Sequence, residues 1–118
     1  MHLEEERRGR VTIFRIAGDL DLHSAPDFRE RVDGCLEGTS APALILDLSE
    51  VGVIDSSGLG ALIGRFRKVR DLGGEMVLIG ASPTARRVAE MGGLTRLVPI
   101  LPSEQEAVSR LAGGETVG

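Results

Sequence analysis

The chain has 118 residues, a net charge of −4 and 42% hydrophobic residues, of which very few are aromatic. This length is typical of one domain, and the hydrophobic fraction is sufficient for a core. An acidic protein poor in aromatic residues does not fit direct nucleic-acid binding, which favours a basic surface and stacking side chains. A single cysteine, Cys35, forms neither an internal disulfide nor a zinc site by itself.

Hydropathy and the start of the sequence indicate where the protein works. No apolar run reaches the ~18–20 residues that a transmembrane helix needs. The first ten residues, MHLEEERRGR, are charged and lack the apolar stretch of a signal peptide. We therefore expect a cytoplasmic protein that does not bind membranes.

The first predicted elements are a strand, a helix and a second strand. Residues 11–17 (VTIFRIA) are β-branched and are followed by a glycine, a pattern typical of a strand. The triplet Ser24-Ala25-Pro26 predicts a helix start, and apolar residues then recur at helical spacing as far as Leu36. Residues 43–48 (ALILDL) form a nearly continuous apolar run, which indicates a buried strand.

The second half of the chain continues this alternation. A helix is predicted from Ser57 to Asp71, with an apolar stripe on one side and Arg65 off that stripe, toward solvent. The elements predicted after it are a buried strand at 75–80, a helix capped by Ser82 with Val88, Ala89 and Met91 facing inward, a short strand at 97–100, and a last helix that starts with a capping box at 103–106.

Strands that alternate with helices predict an α/β fold in one domain that spans 1–118. We expect a four- to five-stranded mixed β-sheet covered by about four helices, with the core at about 11–112. Residues 1–8 and 113–118 are predicted to be mobile ends.

The stretch Asp55-Ser56-Ser57-Gly58 lies between a predicted strand and the apolar helix. Asp or Ser at a helix N-cap accepts a backbone hydrogen bond worth ~1 kcal/mol, and one such residue is enough. The remaining polar groups place a hydroxyl at the positive end of the helix, where a phosphate is well tolerated. The motif is therefore compatible with a serine that is modified without unfolding its helix.

Catalytic, cofactor and metal sites fit the sequence less well. A serine hydrolase of the α/β type needs G-x-S-x-G, which the motif does not match, although His23 could in principle serve Ser56 as a base. Glycines 58, 60 and 64 match a dinucleotide loop weakly, and close helix packing or a smooth exposed face explains Gly60 and Gly64 better. Asp19, Asp21 and Asp47 lack the spacing of a metal site. We predict no catalytic residue, no metal and no cofactor.

Two stretches carry a resemblance to a known family. Residues 47–94, with the motif Asp-Ser-Ser-Gly-Leu-Gly, strongly resemble the anti-sigma factor antagonists of the STAS domain family. Residues 18–26 (GDLDLHSAP) are similar to the first-loop signature of that family, and the match extends over about 11–111.

The resemblance implies a phosphorylation switch that is not itself an enzyme and is a monomer when free. In the unphosphorylated form such a protein binds an anti-sigma factor that is also a serine kinase, and a sigma factor is released. The kinase then phosphorylates the first serine of the motif, here Ser56, and the complex separates. A PP2C-type phosphatase resets the switch.

The resemblance also implies a partner-binding surface. Asp21 matches a loop acid that lies beside the acceptor serine and meets the partner, and Asp19 stands where relatives often have Glu. The residues predicted to bind the partner are Asp19, Asp21, Asp55, Ser57, Gly58, Leu59 and Gly60. Two alternatives remain: a STAS module that works without phosphorylation, as in subunits of lipid transport systems, and, with less support, a small serine hydrolase.

Overall fold

The computed structural model describes residues 1–116, with side chains described as far as Ala112. The strands are β1 (His2–Arg8), β2 (Val11–Ala17), β3 (Ala43–Glu50), β4 (Glu75–Ile79) and β5 (Ile100–Leu101). The helices are α1 (Ala25–Leu36), α2 (Ser56–Asp71), α3 (Pro83–Met91) and α4 (Glu104–Thr116), and a 3₁₀ turn covers Leu94–Arg96. No helix in this described part of the chain has both the length and the apolar character needed to cross a bilayer.

The five strands form one mixed sheet in the order β1-β2-β3-β4-β5. β1 runs antiparallel to β2, and β2 to β5 are mutually parallel. In the centre of the sheet, Leu46 of β3 lies opposite Phe14 of β2 and Leu78 of β4. This arrangement confirms the predicted α/β fold with a mixed sheet and four helices.

Helices cover both faces of the sheet, which explains the continuous apolar runs of the central strands. Successive side chains of a strand point to opposite faces. On β3, Leu46 packs in the large core beneath α1, α2 and α3, whereas Ile45 packs in the smaller core beneath α4. Because β2 to β5 run parallel, their carboxyl ends lie at the same edge of the sheet, between the two helical layers.

The prediction that residues 1–8 form a mobile end is wrong. Residues 2–8 are β1, which pairs with β2 over its whole length, and Leu3 is buried in the larger core. Glu6 and Arg8 are held by charges on β2 and α4, namely Arg15 and Glu104. The local sequence does not predict β1, because Leu3 is its single apolar residue. The strand forms by pairing with the edge of β2, and a local pattern does not show that pairing.

At the other end of the chain, α4 extends to Thr116. Part of the predicted mobile end at 113–118 therefore belongs to this helix. Residues 117 and 118 lie outside the described part of the chain.

Two side chains lie on the opposite side from the one predicted. Met91, at the end of α3, was expected to face inward and is 82% exposed. Arg65 was expected to face solvent but is buried. Its Nε lies 2.9 Å from Oδ1 of Asp33 on α1, and the two form an ion pair whose angle is poor for a hydrogen bond. Burial is the main cause that lowers the pKa of Arg65, and Asp33 opposes it. The apolar periodicity of α2 does not reveal this contact because Asp33 belongs to another helix.

The last strand is also displaced from its predicted position. Residues 97–100 were expected to form a strand. The chain instead makes the 3₁₀ turn Leu94–Arg96, and the strand covers only Ile100–Leu101. Leu94, the first residue of this turn, and Val98, two residues after the turn, are both buried.

Candidate functional site

The candidate site forms where the carboxyl ends of β2 and β3 meet. Residues 18–24 follow β2, and residues 51–55 lead from β3 into α2. Leu20 and Ile54 make an isolated parallel bridge that continues the pairing of the two strands. The N–H of Leu20 donates to the carbonyl of Val53 at 2.9 Å, and the N–H of Asp55 donates to the carbonyl of Leu20 at 3.3 Å. The two stretches that carry the sequence motifs therefore lie side by side, at the sheet edge where open α/β folds place their sites.

Two carboxylates join these segments in reciprocal fashion. Oδ1 of Asp19 accepts the N–H of Val53 at 3.0 Å, and Oδ2 of Asp55 accepts the N–H of Leu22 at 3.0 Å. Each segment thus supplies a charged acceptor to the backbone of the other. Hydrogen bonds to ionised acceptors are the stronger kind, so the pair holds the site in one geometry.

Asp55 also begins α2. Its backbone is extended, and its Oδ1 accepts the N–H of Gly58 at 2.9 Å, the geometry of an N-cap. Asp55, and neither of the two serines that follow it, supplies the capping side chain. Ser56 is the first helical residue and is exposed, whereas Ser57 is half-buried.

Gly58 lies against this chain's own loop at Leu20. It is buried, and a Cβ at this position would lie 2.0 Å from the carbonyl oxygen of Leu20. Its small size therefore serves the approach of this chain's own loop, and a partner contact at Gly58 stays a prediction. A side chain at this position would push the loop away from α2.

Leu59 and Gly60, the next two predicted partner residues, differ in exposure. Leu59 is half-buried and lies against Gly92, where a Cβ would stand 2.0 Å from its Cδ2. Gly60 is exposed, and a Cβ there would meet nothing within 4 Å. Of these two residues, Gly60 is the more accessible to another molecule.

Asp21 organises the loop after β2. Its Oδ1 accepts the N–H groups of His23 and Ser24, each at 3.0 Å, and its own N–H donates to Oγ of Ser24. That hydroxyl donates to the carbonyl of Asp19 at 2.8 Å and does not cap α1. The N–H of Ser24 is the main cause that holds the pKa of Asp21 below its ordinary value. Asp21 is therefore ionised near neutral pH.

The surface around the site combines acidic and apolar groups. A shallow depression in the loop is lined by Met1, Asp19, Asp21, His23, Ser24 and Asp27, with no Lys or Arg. Leu22 and Val53 are 66% and 55% exposed. No local pattern marks these two residues as exposed: Leu22 stands two positions after the buried Leu20, a spacing that in a strand predicts the same, inward side.

The chemistry expected of a hydrolase or a metal site is not assembled at this edge. The backbone N–H of His23 donates to Asp21, and within the described residues its ring makes no hydrogen bond to Ser56. Asp47 lies on the α4 face, where it pairs with Arg15 at 3.1 Å and accepts the hydroxyl of Ser49. It therefore does not join Asp19 and Asp21.

The STAS domain model matches residues 2–107, and the chain belongs to the STAS domain family. Among its relatives, an anti-sigma F factor antagonist of Paenibacillus polymyxa is 32% identical over 111 residues, which are 94% of this chain and 95% of that protein.

Two solved structures of SpoIIAA, an anti-sigma factor antagonist, are 27% identical to this chain. The unphosphorylated form gives a TM-score of 0.79 and covers 95% of this chain and 97% of its own. The phosphorylated form, described as a Bacillus cell fate determinant, gives 0.69 and covers 92% and 98%. These comparisons confirm the resemblance on which the sequence prediction rested, and they give the hydrolase alternative no support.

Proposed function

We propose that this chain is an anti-sigma factor antagonist switched by phosphorylation of Ser56. The unphosphorylated form binds an anti-sigma factor with serine kinase activity, and a sigma factor is released. The observation that carries the proposal is an exposed serine at the first position of α2, next to an acidic loop that two carboxylates hold in place. Support comes from the relatives named anti-sigma factor antagonists and from SpoIIAA, which is known in both phosphorylation states.

The acceptor we assign is Ser56 and not Ser57. Ser56 is exposed, and the capping of α2 by Asp55 leaves its hydroxyl uncommitted within the described residues. The first N–H groups of a helix have no intrahelical acceptor. A phosphate there gains ~0.3–1 kcal/mol from the helix dipole at an exposed site. Ser57 is half-buried, so a kinase would reach it less easily.

The same phosphate would oppose the complex. It brings about −1.5 to −2 charges at pH 7 to a surface that already carries Asp21 and Asp55. In the complex these like charges would be forced together and partly dehydrated, which costs several kcal/mol. Phosphorylation thus weakens docking while it leaves the helix intact.

The reset and the location of the switch follow from the same scheme. A PP2C-type phosphatase removes the phosphate from Ser56, which is exposed enough to be reached. The antagonist itself supplies no metal or cofactor to that reaction. It works in the cytoplasm as a monomer between encounters with the kinase and the phosphatase.

The acceptor assignment is tested with the cognate kinase and ATP, followed by mapping of the phosphate by mass spectrometry. We expect one phosphate on Ser56 in the wild type, none in Ser56→Ala, and normal incorporation in the matched control Ser57→Ala. A phosphate on Ser57 with Ser56 unmodified contradicts the assignment. A wild type that binds its partner without ever being phosphorylated supports the alternative of a STAS module that works without this modification.

The partner surface is tested with Asp21→Asn, which keeps the acceptor oxygen for His23 and Ser24 and removes the charge. We expect a loss of ~1–3 kcal/mol, tenfold or more in affinity, if the carboxylate pairs with a cation of the partner. Asp27→Asn, which removes another exposed carboxylate of the same depression, is the matched control and should change affinity little. Equal affinity of wild type and Asp21→Asn would place the interface elsewhere.

A further inference from the structure

β1 forms one border of the sheet, and no strand in the described part of the chain lies beyond it. A two-residue turn joins it to β2, and the two strands pair without a register shift. The backbone groups of an antiparallel strand point alternately to one side and the other, and a two-residue turn closes on a hydrogen-bonded pair, here Arg8 and Val11. The even residues of β1 therefore bond to β2, and the N–H and C=O groups of Leu3, Glu5 and Arg7 point to the open side.

The side chains of this open edge change the sign of their charge along the strand. Residues 4–8 read EEERR, and those at positions 4, 5, 7 and 8 are exposed. Glu5 and Arg7 form no ion pair with any described residue, so both charges are available to a second molecule. An edge strand with charges of one sign repels other strands and is protected from pairing. Here a second copy of β1 in the antiparallel direction meets opposite charges, so the edge is complementary to itself.

Hydrogen bonding and charge select the same register for such a pair. The open groups lie on the odd residues of β1, so odd residues of the two copies must face each other. One of these registers puts Glu5 opposite Arg7 of the second copy. In that register Glu4 lies opposite Arg8, and the two-fold symmetry repeats both pairs. The neighbouring registers put Glu5 opposite Glu5 or Arg7 opposite Arg7, and like charges directly across a strand pair are destabilising.

We infer that β1 binds a second copy of this chain by antiparallel strand pairing, with Glu5 opposite Arg7. The two sheets then continue as one. Glu6 lies opposite Glu6 of the second copy, and in each chain Arg8 and Arg15 offset its charge at 2.9 and 2.6 Å. Only residues 4–8 of each strand overlap, whereas a stable interface has about 20–30 residues a side. The chain is therefore a monomer when dilute and pairs at high concentration, independently of the phosphorylation switch proposed above.

The pairing is tested by sedimentation velocity from dilute solution up to about 1 mM protein. We expect the mass of the wild type to rise from 12.5 kDa toward twice that value, and to rise less at high salt, which screens exposed charges. Arg7→Glu should pair at least tenfold more weakly than wild type, because acids would then face each other. Arg31→Glu, the same charge change at an exposed arginine of α1, is the matched control and should pair within about twofold of wild type. A wild type that stays at 12.5 kDa throughout, or equal losses in the two variants, overturns the inference.

A charge exchange tests which residues face each other. Glu5→Arg carries only bases at positions 5 and 7, and Arg7→Glu carries only acids there, so neither variant should pair with itself. An equimolar mixture of the two should form a mixed dimer, since every base then lies opposite an acid. The double variant Glu5→Arg/Arg7→Glu should pair as wild type does. If wild type pairs while the mixture and the double variant stay monomeric, position 5 does not face position 7 and the inference is wrong.

Disulfide trapping tests the register without any change of the charges at positions 5 and 7. Both variants carry Cys35→Ala, which removes the native thiol. Glu6→Cys should cross-link to its own copy, because the Cα atoms of a directly opposite pair without mutual hydrogen bonds are about 4.5 Å apart, within the span of a disulfide. Glu4→Cys is the matched control and should cross-link little, since position 4 faces position 8. Cross-linking of Glu4→Cys as fast as that of Glu6→Cys would contradict the register.

Discussion

The carboxylate of Asp55 accepts the backbone N–H of Leu22 at 3.0 Å and so joins the loop after β2 to the start of α2. Its other oxygen caps the helix through Gly58 at 2.9 Å. One side chain therefore sets both the position of the acidic loop and the first turn that presents Ser56. The acid that precedes the serine is a structural part of the proposed switch as well as a charge on its surface.

Asp55→Ala should lower the free energy of unfolding by about 1–2 kcal/mol, because it removes an N-cap. Asp55→Asn should fall between this variant and wild type, since its amide oxygen can still cap the helix while its NH₂ group faces the N–H of Leu22. Urea unfolding of the three proteins under one buffer condition measures the difference. A loss in Asp55→Ala below about 0.3 kcal/mol would contradict the assignment of the cap.

Gly58→Ala should destabilise the protein by about 1–3 kcal/mol, because the new Cβ meets the backbone of Leu20 and cannot be relieved by a side-chain rotation. The matched substitution one half-turn away, Gly60→Ala, should stabilise it by about 0.5–1 kcal/mol, since that position is open. Thermal or urea unfolding separates the two cases by sign. Similar behaviour of both variants would mean that the loop does not lie against α2 in solution.

Phosphorylation should leave the melting temperature nearly unchanged and lower the affinity for the anti-sigma factor by roughly a hundredfold or more, as a cost of several kcal/mol implies. Ser56→Asp should reproduce this only in part, because it carries one charge and no tetrahedral group. Melting and binding are measured on one phosphorylated sample. A sharp fall in melting temperature, or binding as tight as that of the unmodified protein, would reject a mechanism based on the interface.

Stability should fall in acid through Glu6 and Asp21. Hydrogen bonding to Arg15, with a second contribution from Arg8, lowers the pKa of Glu6 from its ordinary 4.5. The backbone N–H of Ser24 lowers the pKa of Asp21 from 3.8. For a pKa that is lower in the folded state, the stabilisation is complete above the ordinary value and is lost as pH falls through the lowered one.

The free energy of unfolding should therefore decline below about pH 4.5. Urea unfolding from neutral pH down to about pH 3 measures the decline, and Glu6→Gln and Asp21→Asn should each reduce its steepness. A decline that is equally steep in both variants and in wild type would assign the acid sensitivity to other carboxyl groups.

The sequence by itself determined the order of the strands and helices from β2 onward and the position of the serine motif at a helix start. These features depend on neighbours within a few residues: the apolar runs of β3 and β4, the spacing in α2, and the Ser82 and Ser103 caps, whose hydroxyls accept the N–H groups of Ala85 and Glu106. Period and capping are local properties of the chain, so a sequence can display them.

Only the tertiary structure decided the features that depend on distant contacts. Residues 2–8 form a strand because they pair with the edge of β2. Arg65 is buried beside Asp33, which lies on the neighbouring helix α1. The steric need for a glycine at position 58 comes from the loop at Leu20, which lies against it. Each depends on groups that are far apart in the chain and meet only when the sheet is assembled, so no local pattern could reveal them.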